Sequence, residues 1–436
     1  MRFLKERILY FRQHRFVKDV AILQVGNFGS SFVSGVAGII IARILQPQLY
    51  GLYALAFGLA SLLVLIVSLG VQDAVTTIVG ETYTQEDRVG TNTAFMFLTK
   101  MTFVIAILSA IAMWFAPAIS LRFYHNSQIG FFAGIIVLAS LVSNTWFTFS
   151  TLALQVSGKI KGMSWLVFID QLVRSSVAII LIIVGLGIAG AIYGNLLGAF
   201  IVGLVSIVVW ERLRKVQSIF PSARELLRGF WRASLKKYFK FSAWVALDKN
   251  ISALYSILPI LMVGLYVSTT DVTYFKISFA YINLALSFMG PISTLLAVQF
   301  PRMRAGGETG LRKNFLKVSL YSLALSILLT AGAIAVSPIA LRILYGRSFL
   351  PGLKYVYGLF VYGAFLGIGV GLGPMWRAIN KVHISIIINF ITLAVGIPSG
   401  LYMIAHWGLW GAVIMVSAWF TISHLVSFFY LLTHLE

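Results

Sequence analysis

The sequence predicts an all-α polytopic membrane protein with twelve transmembrane helices, in two parallel-related six-helix bundles. Three observations lead there. The 436 residues are 59% hydrophobic and only 11% charged, with a mean hydropathy of +0.92, whereas a soluble chain carries about 25% charged residues. The apolar residues fall in long continuous runs rather than alternating, which selects helices over barrel strands. The basic residues alternate between poor and rich loops in step with those runs.

The runs are 20–44, 52–79, 94–116, 130–154, 164–185, 188–210, 241–266, 272–300, 314–337, 355–376, 383–405 and 409–432. Each meets the ~20 apolar residues that a bilayer crossing needs. The basic first 19 residues hold no long apolar core, and the run after Asp19 is too long for a cleaved signal peptide. That run is expected to be the first span. With both termini placed in the cytoplasm, only Arg122, Arg342, Arg347 and Lys354 fall in outer loops. Arg43, Lys100, Arg174, Lys249 and Lys276 fall within spans, and the remaining 25 of the 34 Lys and Arg lie inside. Positive residues concentrate on the cytoplasmic side of a membrane protein, so this partition sets the orientation, and a miscounted span would mix the two sets. The net charge of +21 therefore reads as topology and attraction to anionic lipids, not as nucleic-acid binding. Cysteine is absent, which excludes disulfides and thiolate metal sites. No cofactor motif, metal cluster or catalytic constellation is present.

The two halves are similar. An offset of 222 carries 1–18 onto 223–240 and Lys18, Ala21, Ser30 and Ser34 onto Lys240, Ala243, Ser252 and Ser256. It also carries Gly158-Lys159 onto Asn380-Lys381, and an offset of 221 carries 187–191 onto 408–412. Six spans is an even number, so both halves enter from one side and form a parallel repeat. The expected division is an N-terminal lobe, 1–218, and a C-terminal lobe, 219–436, each opening with a basic pre-helix. In the second, Leu227, Trp231 and Leu235 recur at a spacing of four, ending at Phe239. Arg224, Arg228, Arg232, Lys236 and Lys240 recur beside them. Such a helix lies in the membrane interface, where it anchors on anionic lipid or collects a phosphorylated one.

Residues 39–71 resemble the first two helices of polysaccharide export proteins, whose pattern AR-x-L-x-P-x-x-Y-G-x-Y is met by Ala42-Arg43, Leu45, Pro47, Tyr50-Gly51 and Tyr53, followed by Leu69-Gly70. That family more often has Gly where this chain has Gln46. Residues 337–353 resemble the loop after its ninth helix, with Leu344, Tyr345, Gly346 and Phe349 in place, and 408–412 its entry to the last helix. The resemblance is to the lipid-linked oligosaccharide (O-antigen type) flippases of the multidrug/oligosaccharidyl-lipid/polysaccharide exporter superfamily. It implies a V-shaped pair of six-helix bundles around a central cavity, alternating access, and a polyprenyl-(pyro)phosphate-linked glycan as cargo, with polysaccharide assembly proteins as further partners.

A charge at mid-bilayer costs at least ~2.5–3.5 kcal/mol, so the intramembrane ones are candidate cavity residues. Asp170 and Arg174 lie one turn apart, as an internal ion pair or a substrate contact. Asp248 and Lys249 are adjacent and point about 100° apart, so they do not pair with each other. Asn27 falls at the repeat position of Lys249, which would give the cleft one positive wall. Lys276, near the outer end of the eighth span, is placed to snorkel. His424 is expected to be a buried hydrogen-bonded histidine. Pro259, Pro291, Pro374 and Pro398 are expected to kink helices or serve as hinges.

Two other classes fit the sequence less well. Proton-coupled drug exporters of the superfamily carry an acid in the first helix, and 20–44 has none. A membrane glycosyltransferase or polymerase needs acidic catalytic residues and large outer loops, and the outer loops here are short and basic.

The orientation is testable in intact cells because the chain lacks cysteine. A Ser218→Cys variant should be labelled by membrane-impermeant maleimide only after permeabilisation; labelling from outside would reverse the topology.

Overall fold

A computed structural model describes residues 15–68, 71–222, 224–226, 236–305 and 310–435. Every regular element among them is helical. The helices are α1 (Arg15–Ser68), α2 (Val71–Thr84), α3 (Arg88–Tyr124), α4 (Ser127–Val156), α5 (Ile160–Leu181) and α6 (Gly187–Val216). Then follow α7 (Lys236–Gly264), α8 (Thr269–Leu286), α9 (Gly290–Ala305), α10 (Leu311–Leu344), α11 (Leu353–Gly358), α12 (Phe360–Gly369), α13 (Leu372–Ala378), α14 (Val382–Trp407) and α15 (Leu409–His434). Among the described residues seven helical stretches are long and apolar enough to cross a membrane, or nine if each of two bent pairs is one span. The protein is a multi-pass helical membrane protein.

Two of those stretches, Ile22–Val67 and Ile160–Val216, are 46 and 57 residues long. At ~1.5 Å per residue each is more than twice as long as a ~30 Å hydrocarbon core. Both contain a backbone break, at Gln46 (φ 61°, ψ 168°) and at Gly185 and Gly187 (φ 101° and 53°). Two expected continuous spans are corrected. The second, 52–79, covers the end of α1 and the start of α2, and residues 69–70 between them lie outside the described residues. The eighth, 272–300, is divided by a 3-10 turn at Ser287–Met289. The tenth is built from Arg347–Gly358 and Phe360–Ala378, bent by 54°. Pro291 and Pro374 sit in the first turns of α9 and α13, where an amide has no helical acceptor and proline costs nothing. Pro259 and Pro398 lie inside α7 and α14.

The chain sorts into two compact units, Met1–Ile44 with Leu59–Asn250, and Leu45–Gly58 with Ile251–Glu436. In the first, α3 to α6 pack as antiparallel neighbours through short caps. Asn126 accepts from the Gln128 amide at 2.9 Å, and the Gly130 amide donates to Ser120 Oγ at 2.9 Å. Glycines allow close approach between apolar helices: a Cβ on Gly194 would lie 2.4 Å from Ala178 Cα. The hydroxyl of Ser150 donates to the Ser206 carbonyl at 2.7 Å, joining α4 to α6. At one end Phe95, Phe149, Trp210 and Phe220 form an aromatic cluster with centroids 5.1–6.0 Å apart. Phe220 thereby fixes the segment after α6. Two residues on, Ser222 and Glu225 cap a turn reciprocally: the Ser222 amide donates to Glu225 at 2.6 Å and the Glu225 amide to Ser222 Oγ at 3.2 Å. These bonds from Ser222, with weaker help from Arg88 and Arg214, hold the Glu225 carboxyl below its usual range. This start of a helix is a capping box.

In the second unit α10 packs on α12 and α14 on α15. Ser326 Oγ donates to the Ala364 carbonyl at 2.6 Å. Gly363 and Gly367 face Thr330 and Ser322, and Gly369 leaves room for the His424 ring. His424 is half-buried, and its Nδ1 lies 3.4 Å from the Phe365 carbonyl.

The internal repeat recurs in backbone angles. His125 and Gly346, offset by 221, both have positive φ, as do Gly158 and Asn380 at 222. Gly187 (φ 53°, ψ −135°) and Gly408 (φ 55°, ψ −132°) match at 221. The Lys159 amide donates to Leu154 and the Lys381 amide to Trp376, again at 222. The offset read from weak identity is thus a repeated set of helix ends. One exchange breaks the symmetry. Gly198 on α6 abuts Arg174 on α5, whereas at the equivalent crossing Gly396 on α14 abuts Trp419 on α15.

Gln46 is the residue that departs from the family pattern, and its φ and ψ lie in a region that essentially only glycine occupies, at a cost of order 1–3 kcal/mol. Its Oε1 accepts from Ser348 Oγ at 3.0 Å. Gln46→Gly should therefore raise the thermal midpoint of the detergent-purified protein by a few degrees; a lower midpoint would show that the side-chain contacts outweigh the strain.

Candidate functional site

The ion pair of the first unit is formed. Arg174 Nε donates to Asp170 Oδ1 at 2.7 Å, with the two side chains 15% and 20% exposed. Arg174 Nη1 adds a bond to Asn195 Oδ1 on α6 at 3.3 Å. Arg174 is therefore neutralised by its own helix and tied to the next. Asn195 was missed from sequence, where an Asn among apolar residues of the sixth span was the available signal.

Asn27 is exposed on α1. The neighbouring Gly26 and Gly29 pack on Ser164 and Phe168, so the small residues face α5 and Asn27 does not. Asp248 and Lys249 are in α7, but their side chains lie outside the described residues. Asn250, beside them, donates to the Leu65 carbonyl at 3.1 Å. In the basic segment Arg224 is exposed. Arg228, Trp231 and Arg232 lie outside the described residues, as does the side chain of Lys236.

Lys276 is half-buried on α8 and its ammonium lies 5.0 Å from the centroid of the Tyr50 ring and 5.5 Å from that of Tyr53. It makes a cation–π contact with both rather than extending alone to the interface. Tyr50 and Tyr53 stack at 5.8 Å and Tyr53 meets Phe57 at 4.6 Å. Spacings of three and four put these rings along one helix face. The part of α1 that carries them is pressed onto α8. The Thr273 hydroxyl donates to the Pro47 carbonyl at 2.6 Å, and a Cβ on Gly51 would overlap the Thr269 carbonyl. The turns 46–50 and 267–271 are thus brought into direct contact, and the YG-x-Y motif is explained. Its glycine permits backbone contact and its tyrosines hold the lysine.

A long-helix membrane fold of this kind is that of the multidrug and lipid flippase transporters. Among solved structures the chain is similar to an inward-facing multidrug resistance MATE family transporter of the MOP superfamily, with 15% identity, a TM-score of 0.70, and 92% of this chain and 93% of that one covered. It is similar to the lipid II flippase MurJ in an inward closed conformation, with 15% identity, a TM-score of 0.72, and 94% and 87% covered. It also resembles the eukaryotic MATE transporter AtDTX14, with 14% identity, a TM-score of 0.65, and 95% and 96% covered. No curated protein sequence matches.

The chain belongs to the family of polysaccharide biosynthesis proteins, whose model matches residues 40–353.

If the Asp170–Arg174 pair is structural, breaking one side should cost more than removing both. Arg174→Ala should cut the amount of membrane-inserted protein several-fold, since an unpaired buried carboxylate is destabilising, and Asp170→Ala/Arg174→Ala should recover part of it. Immunoblotting of membrane fractions checks this, and a double variant no better than the single would remove the pairing argument.

Proposed function

We propose that this protein is a flippase that moves a polyprenyl-(pyro)phosphate-linked oligosaccharide or polysaccharide repeat unit across the cytoplasmic membrane by alternating access. The observation that carries the reading is membership of the polysaccharide biosynthesis family over 40–353, in a chain with the fold of membrane transporters. The physics fits. A glycan head cannot enter hydrocarbon unaided, because each unpaired hydroxyl costs several kcal/mol. A helical bundle with a polar path lets the head cross while the prenyl tail stays in lipid.

In this proposal both termini are cytoplasmic, the chain makes twelve crossings, and the lobes are 1–218 and 219–436. The breaks at Gln46 and Gly185, the two bent pairs and α7 support that count. Lys249, Asp248, Asn27, Arg174, Asp170 and Lys276 contribute to the path, with Arg174 the least available cation because Asp170 and Asn195 hold it. The segment with Arg224, Arg228, Trp231, Arg232 and Lys236 binds anionic lipid on the cytoplasmic face. Assembly proteins of the polysaccharide would meet the product outside. The alternative of a cation-coupled drug exporter is supported by fold and opposed by the lack of an acid in 20–44.

The contact between turns 46–50 and 267–271, extended by Gln46–Ser348, is the proposed outer gate, which has to part in each cycle. In proteoliposomes, the protein should move a fluorescent polyprenyl-pyrophosphate oligosaccharide without ATP. A Gln46→Cys/Ser348→Cys variant should do so until bridged by a short bifunctional thiosulfonate, and again after reduction. Absence of movement by the unmodified protein would sink the flippase reading; full movement with the bridge in place would sink the gate.

A further inference from the structure

The lysine on its aromatic shelf has chemistry that membrane anchoring does not explain. We propose that Tyr53, Phe57 and Lys276, backed by the buried Tyr50, form a sugar-ring subsite for an acidic pyranose, the Tyr53 and Phe57 rings taking its C–H face and the ammonium its carboxylate. This rests on the flippase reading and names the class of cargo that this site selects.

Four observations carry it. First, although Tyr50 is buried, at 6% exposed, the other two rings are not core filler. Tyr53 and Phe57 are half-buried, so the shelf keeps open area on a face that is otherwise packed against α8. A pyranose presents axial C–H bonds on one face and stacks on such a surface, burying apolar area without losing the hydrogen bonds of its equatorial hydroxyls. Second, the polar groups around the shelf are unspent. Among the described residues neither tyrosine hydroxyl has a hydrogen-bond partner, and Lys276 has no carboxylate within ion-pair distance. The acid on the same helix, Asp271, is engaged at the helix start, where Ser268 Oγ donates to its carboxylate at 2.7 Å. Third, the charge is not demanded by packing. The offset of 222 sets Phe275 and Phe279 opposite Tyr53 and Phe57, but sets Lys276 opposite Ala54. The repeat builds the same aromatic pair with a small residue at that place in one half and a lysine in the other. Fourth, the shelf adjoins the contact of Pro47 with Thr273, so a ring seated on it would lie beside the gate and be sensed by it.

An ammonium held over two rings, with no carboxylate in reach among the described residues, favours an anionic ligand over a neutral one by a charge-assisted hydrogen bond. Saturation-transfer NMR on the full chain in lipid nanodiscs tests this with two probes, a glucuronate-containing disaccharide and the matching neutral disaccharide. The acidic sugar should receive saturation at its C–H protons and bind ~5- to 10-fold more tightly than the neutral one. Lys276→Gln should equalise the two without abolishing binding. Tyr53→Ala should remove transfer to both, whereas Tyr53→Phe, which keeps the ring, should retain it; size-exclusion profiles identify any variant that fails to fold, and Tyr53→Leu then replaces Tyr53→Ala. Equal affinity for the two sugars in the unmodified protein, or an undiminished preference in Lys276→Gln, overturns the subsite. The proteoliposome assay keeps the two proposals apart. Lys276-dependent sugar binding by a protein that moves no lipid-linked glycan leaves the subsite and removes the flippase. Movement of acidic and neutral glycans alike by Lys276→Gln and the unmodified protein does the reverse.

Discussion

The constraint on which the rest depends is that hydrocarbon offers no hydrogen bonds, so every backbone amide and carbonyl at membrane depth has to find a partner within the chain. That is why the described elements are helices, and also why the places where helices stop carry meaning. Each break needs a compensating feature. At Gly187 and Gly408 a left-handed glycine reverses the backbone between consecutive helices. At Ser287–Met289 and before Leu372 a proline sits in the first turn of the resumed helix, where no bond is lost. At Gln46 there is no glycine, and the side chain instead bonds to Ser348. The contact of Pro47 with Thr273 and that of Gln46 with Ser348 both lie at such a break.

Much of this architecture was legible in the sequence because the bilayer reads sequence through hydropathy, which a one-dimensional scan measures directly. The offset of 222 was legible because helix ends have chemical markers: Gly158 and Asn380 are both residues that tolerate a left-handed cap. The 3-10 turn in the eighth span and the bend in the tenth were not legible. The residues at those breaks are as apolar as the helices they interrupt, and Ser287–Met289 has no turn signature. For the candidate site, the spacing of Asp170 and Arg174 fixed a pair within one helix, but the third member, Asn195, comes from the next. Lys276 stood out as a charge in an apolar run. Its partners lie more than 200 residues earlier in the chain, where periodicity alone links them to nothing.

The two halves show how one backbone plan accepts different chemistry. At the crossing of the fifth and sixth helices a large side chain meets a glycine, and the pair is exchanged between halves: Arg174 on Gly198 in one, Trp419 on Gly396 in the other. Volume is conserved while charge is not, because a close-packed interface restricts volume more strictly than polarity. The first half then meets the cost of the guanidinium with Asp170 and Asn195, and its net field is small. Arg174 therefore stays near neutral in effect, whatever its distance from a cargo.

Lys276 is stabilised in the opposite way, and this decides which cation is left to act. Placing an ammonium in a span costs about 2.5–3.5 kcal/mol on the insertion scale. Two cation–π contacts return about 0.5–2 kcal/mol each, enough to offset most of that cost. A carboxylate partner would have returned the energy by cancelling the charge; aromatic rings return it and leave the charge whole. Arg174 and Lys276 are thus both tolerated in the membrane, but only the second keeps a field that an anion can feel. The rings that stabilise Lys276 are also the surface a sugar stacks on, so the feature that makes the lysine affordable in the bilayer supplies the rest of the subsite.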